Sequence, residues 1–126
     1  MSSLLIVEDD SSTSAALGAL LRMHGHDVAS AQSAVEALSQ LRRHQPDLVL
    51  LDLGLPRVDG LDLLDALADE PCFSGIPVVV YSGRAEPDTV TAAKQLGACD
   101  YIVKSEDWNQ TYQRIEACLA RTAGGA

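Results

Sequence analysis

Short, uninterrupted apolar runs recur along this chain, and between them the apolar residues fall back to helical spacing. The runs are Leu4–Val7, a weak Val28–Ala29, Leu48–Leu51, Val78–Tyr81 and Tyr101–Val103. A strand with one wet face alternates apolar and polar residues. A strand covered on both faces does not, and parallel sheets are covered on both faces. The first helical pattern holds Leu17, Leu20, Leu21 and Met23, opens at Ser11-Ser12 as N-cap candidates and closes at Gly25. The second runs from about Ser33, with Val35, Leu38 and Leu41 on one face, and stops before Pro46; the third carries Leu61, Leu64 and Leu67 and ends near Pro71. The fourth starts at Pro87, a favourable first helical position, and sets Val90, Ala93 and Leu96 on one face before Gly97. The last places Trp108, Tyr112, Ile115 and Leu119 at steps of four, three and four. Five strands alternating with five helices predict a doubly wound α/β fold around a parallel sheet.

With 126 residues there is chain enough for one domain with a proper core. The chain carries 18 acids against 9 bases, a formal net charge of −9, which argues against nucleic acid or an anionic membrane as a direct partner. Cys72, Cys99 and Cys118 are widely spaced without a CxxC pair and read as reduced packing thiols. No basic leader and no run approaching 18 apolar residues is present, so a cytoplasmic location is expected. Residues 1–122 read as the domain, and 123–126 as a flexible tail or the start of a linker.

The polar residues at the strand ends carry the chemistry. In an open parallel sheet, sites form at the carboxyl ends of the strands, where strand order reverses. The first strand runs into Glu8-Asp9-Asp10, the third into Asp52, the fourth into Ser82 and the fifth into Lys104, all at the same edge. Carboxylates converging there repel, by about 4 kcal/mol per pair at roughly 4 Å and an effective dielectric near 20. A hard divalent cation with oxygen ligands removes that repulsion, and Mg²⁺ uses one or two carboxylates while keeping waters for phosphate oxygens. A carboxylate is also a nucleophile able to form an acyl phosphate, whose spread charge needs cationic clamping. Asp52 meets that need, with a metal on one side and Lys104 on the other. Ser82 offers a hydroxyl, and Gly54 and Gly83 leave room for a phosphodonor and an attacking water.

Together these segments resemble the CheY-like receiver domain of bacterial two-component response regulators, over essentially the whole chain. "LLIVEDD" is similar to the family's first strand with its acidic pair, here Glu8 and Asp9; "LLDLGLPRVDG" to the phosphoacceptor segment, with Asp52 as acceptor. "VVVYSG" supplies Ser82, and "DYIVK" supplies Tyr101 and Lys104. The resemblance implies a flavodoxin-like five-stranded sheet of order 2-1-3-4-5 flanked by five helices. It implies Mg²⁺ held by Glu8 through water, by Asp9 and Asp52 directly, and by the backbone carbonyl of Gly54. It also implies phosphotransfer from a sensor histidine kinase or phosphotransfer protein onto Asp52, with Lys104 and Ser82 assisting. The chain would then be a signalling switch, self-catalysing phosphotransfer and autodephosphorylation rather than acting as an enzyme. Ser82 and Tyr101 would reset the face of the fourth helix, fifth strand and fifth helix toward a partner, a homodimer or a downstream effector domain. Asp10 has no such role and is expected to cap the first helix.

One departure is visible. Where the family carries Pro after the Lys, often through a cis bond, this chain has Ser105. A cis bond there costs about 3–4 kcal/mol, so trans is expected, with Ser105 as an N-cap and Glu106 and Asp107 in the first turn of the last helix. Three rival readings fare less well. A haloacid-dehalogenase-type phosphatase needs an acid two residues after its aspartate, and Gly54 stands there. A flavodoxin-like electron carrier could cradle phosphate at "SSTS", but three acids directly precede it and few aromatics are available for flavin stacking. A receiver-like module that has lost phosphorylation is opposed by the intact set of five positions.

Overall fold

The computed structural model describes residues 2–55, 58–70, 75–104 and 107–124. The elements are β1 (Ser3–Val7), α1 (Ser11–Met23), β2 (Asp27–Ala31), α2 (Ala34–Arg43), β3 (Leu48–Leu51), α3 (Gly60–Asp69), β4 (Val78–Ser82), α4 (Pro87–Gln95), β5 (Asp100–Val103) and α5 (Trp108–Gly124). All neighbouring strands pair in parallel, in the order β2-β1-β3-β4-β5. The expected doubly wound sheet is therefore present.

The unbroken apolar runs are explained by what each face meets. Side chains alternate across a strand. Leu4 and Ile6 of β1, Leu48 and Leu50 of β3, Val79 of β4 and Ile102 of β5 share one core with Leu17 and Leu21 of α1 and Ile115 of α5. Their neighbours Leu5, Val7, Val49, Leu51, Val78, Val80 and Tyr101 face the opposite core, with Ala37 and Leu41 of α2, Leu63, Leu64 and Leu67 of α3 and Ala93 of α4. Two helices cover one face and three the other. Among the described residues no helix is long and apolar enough to cross a membrane.

Several local expectations need correcting. Asp10 caps α1 as expected, its Oδ1 accepting from the Ser12 and Thr13 amides at 2.9 and 3.4 Å, so Ser11 and Ser12 lie inside the helix rather than capping it. Gly25 follows in the left-handed region at φ 89°, which ends the helix at little steric cost. On α2 the buried positions are Ala34, Ala37 and Leu41, and Val35 is 78% exposed. Ser105 and Glu106 lie outside the described residues. The cap interaction of α5 comes from Asp107, whose Oδ2 accepts from the Gln110 amide at 3.4 Å. The reading of three reduced thiols is overturned for two of them. Cys99 and Cys118 pair as a disulfide with Cα atoms 6.3 Å apart, because α5 returns along β5 and brings together residues 19 apart in sequence. Cys72 lies outside the described residues.

Candidate functional site

At the carboxyl edge of the sheet, β1, β3, β4 and β5 deliver their terminal polar residues to one cleft. Backbone bonds set their positions. The Glu8 amide donates to Ala31 O at 2.9 Å, that of Asp52 to Val7 O at 2.9 Å, and that of Lys104 to Ser82 O at 2.9 Å. Each of these extends a strand ladder by one residue past its end, so the polar side chains inherit the register of the sheet.

Glu8 and Asp52 are buried while Asp9 is exposed, and one oxygen from each of the three lies within 4.8 Å of the others. Lys104 Nζ bridges the two buried carboxylates, donating to Glu8 Oε1 at 2.6 Å and to Asp52 Oδ2 at 3.3 Å. The other Asp52 oxygen, Oδ1, accepts from the Gly54 amide at 3.1 Å. Burial pushes the Glu8 carboxyl up to about 7, helped by its hydrogen bond with Asp52 and opposed by Lys104 and the Asp10 amide. Burial works against the charge of Lys104, but Glu8 and Asp52 outweigh it and hold the ammonium above its ordinary pKa. The buried, paired setting thus keeps the lysine charged and makes one of the acids easy to protonate. The donor set is all hard oxygen, the chemistry suited to Mg²⁺.

Ser82 is buried at the end of β4, and its hydroxyl accepts from the Arg84 amide at 3.1 Å rather than meeting Asp52. Tyr101 is also buried, and its Oη donates to Arg84 O at 2.7 Å. The sequence reading overlooked Arg84. Its backbone holds both Ser82 and Tyr101, and its guanidinium donates to Thr89 Oγ1 at 3.3 Å on α4. Also unforeseen was Glu8 as the nearest partner of Lys104. Below the cleft, Arg114 of α5 clamps Asp100 through Nη2 and Nε at 2.6 and 2.8 Å, and Nη2 also donates to Tyr101 O at 2.8 Å.

Fold and site define a flavodoxin-like α/β module with an acidic, lysine-bridged cleft. A family model described as the response regulator receiver domain matches residues 4–116. The chain is 35% identical over 123 residues to the transcriptional regulatory protein PrrA of Mycobacterium tuberculosis, covering 98% of this chain and 52% of that protein. It is 36% identical over 118 residues to the DNA-binding response regulator MtrA of the same organism, covering 94% and 50%. Among solved structures, a putative response regulator from Chloroflexus aurantiacus superposes with a TM-score of 0.89 at 31% identity, covering 95% of this chain and 98% of that one. The BeF3-activated N-terminal receiver domain of Klebsiella pneumoniae RstA gives 0.87 at 30% identity, covering 93% and 97%. The chain belongs to the receiver domain family of two-component response regulators, and it spans about half the length of these curated relatives.

Proposed function

We propose that this receiver domain accepts a phosphoryl group on Asp52 from a sensor histidine kinase or phosphotransfer protein, and that the added charge resets its α4–β5–α5 face. The observation carrying this reading is the convergence of Glu8, Asp9 and Asp52 oxygens within 4.8 Å, with Lys104 Nζ bonded to two of them. Glu8, Asp9, Asp52 and the carbonyl of Gly54 would hold Mg²⁺, which when bound neutralises charge shared between the carboxylates and a phosphoryl group.

The remaining work falls to the chain itself. An Asp52 oxygen attacks phosphorus, the bond from phosphorus to the donor's imidazole nitrogen breaks, and the imidazole leaves with a proton from solvent. The Gly54 amide steadies Oδ1 through this step. Lys104 stands between Glu8 and Asp52, and a phosphoryl group bringing about −1.5 to −2 charges draws it away from Glu8. The Ser82 hydroxyl accepts from the Arg84 amide through a lone pair, and its own proton is the one it would donate to a phosphoryl oxygen. Tyr101 is buried with its Oη on Arg84 O, and a phosphoryl group that draws Ser82 inward would favour this position over one turned to solvent. The relatives named as DNA-binding or transcriptional regulators suggest that an effector domain acts downstream of such a face.

Incubation with acetyl phosphate and Mg²⁺ is expected to add one phosphoryl group by intact mass. EDTA and Asp52→Asn should each abolish it. Undiminished labelling of Asp52→Asn would remove the assignment.

A further inference from the structure

At the opposite end of the sheet from Asp52, the chain carries a second chemical feature that the phosphoacceptor reading does not use. Cys99 stands immediately before β5, its amide donating to Val78 O at 2.8 Å, and Cys118 sits in the middle of α5. Their Cα atoms lie 6.3 Å apart and their sulfurs pair, so no backbone movement is needed to form the bond. The two sulfurs are unequal. Cys118 is fully buried in the core with Leu4, Leu48 and Ile115, whereas Cys99 is half-buried at the rim of that core. Attack from solvent therefore falls on Cys99, and Cys118 is placed to resolve it.

We propose that Cys99 and Cys118 form a reversible thiol–disulfide clasp that fastens α5 to the base of β5. With a peroxide as oxidant, the Cys99 thiolate attacks a peroxide oxygen, the O–O bond breaks, and hydroxide leaves to give a sulfenic acid. The Cys118 thiolate then attacks that sulfur and expels a second hydroxide. In sum, two thiols and one hydrogen peroxide give one disulfide and two waters. Reduction runs by exchange: an external thiolate attacks Cys99 Sγ, Cys118 leaves as thiolate, and a second external thiol frees Cys99.

The position of the clasp gives it a consequence. Arg114 stands one turn before Cys118, and Asp100 follows Cys99 directly, so the disulfide lies beside the Arg114–Asp100 ion pair that already joins α5 to β5. Closing it adds a covalent tie to an ionic one at the same joint, and opening it leaves the joint to the ion pair and core packing. The proposal concerns this joint alone and does not rest on phosphoryl transfer.

The test uses the full chain carrying Cys72→Ser, equilibrated with mixtures of reduced and oxidised glutathione, quenched with acid, alkylated and weighed. The expected result is conversion between a dithiol and an intramolecular disulfide lighter by two hydrogens, with its midpoint inside the glutathione series. Opening the bond should accelerate amide exchange in α5 by at least about tenfold. Cys99→Ser and Cys118→Ala should each show no disulfide. Two alkylated thiols in every mixture, a bond that survives the most reducing mixture, or identical exchange in the two forms would each overturn the clasp.

Discussion

Replacing Gly60 by alanine sets two physical effects in opposition. Gly60 is the first residue of α3, and its amide donates to Leu53 O at 3.3 Å. A Cβ at this position would lie 2.4 Å from Leu53 Cα and 2.8 Å from Leu53 O. Both atoms are backbone, so no rotamer change relieves the contact, and either α3 or the segment after Asp52 must shift. Helix propensity taken alone favours alanine by up to about 1 kcal/mol. Overpacking against backbone costs about 1–3 kcal/mol, and with two contacts below 3 Å we expect the upper part of that range and a net loss of about 1–2 kcal/mol. For a domain of this size that lowers Tm by roughly 3–10 °C. Urea unfolding should show a lower midpoint at an unchanged slope. Because Leu53 directly follows Asp52, phosphoryl uptake by the folded variant should slow as well. An unchanged or higher midpoint would mean that the contact is not tight in solution, and the account of how α3 is seated on the segment after Asp52 would fail.

Tyr101→Phe removes the Oη that donates to Arg84 O at 2.7 Å. A loss of about 0.5–1.5 kcal/mol is expected, together with faster amide exchange between β4 and α4; unchanged exchange there would show that the bond does not restrain the segment. The Asp100 carboxyl, raised by burial, is brought net below its ordinary pKa by hydrogen bonds from Arg114 and the Tyr101 amide. Its folded value therefore lies below the unfolded one, so its stabilisation is complete above about pH 4 and is lost as pH falls through the folded value. Urea midpoints measured from neutral pH downward should converge for wild type and Asp100→Asn in acid, and parallel curves would refute the linkage.

Legibility in the sequence followed burial. Leu48–Leu51 was read with its observed bounds because both faces of β3 are covered, whereas β2 read weakly because it is an edge strand with only Ala31 fully buried. Val35 went astray because α2 packs through the small side chains of Ala34 and Ala37, which carry little hydrophobic signal. The residues at the strand ends were legible as a set because parallel register brings every carboxyl end to one edge. Their pairing was not. Nothing in a linear chain says that Lys104 meets Glu8 more closely than Asp52, or that Cys99 finds Cys118. The part played by Arg84 lies in its backbone, which residue identity does not announce.

The bond between Lys104 and Glu8 spans 96 residues, and the one to Asp52 spans 52. Contacts of such separation form only after the intervening loops have been closed, and they have no local precursor. A nascent chain, or one clipped ahead of its fifth strand, carries the acids of the cleft without their lysine counter-charge. Chemistry that needs both signs of charge is therefore withheld from unfinished copies and becomes possible only with the last strand of the sheet.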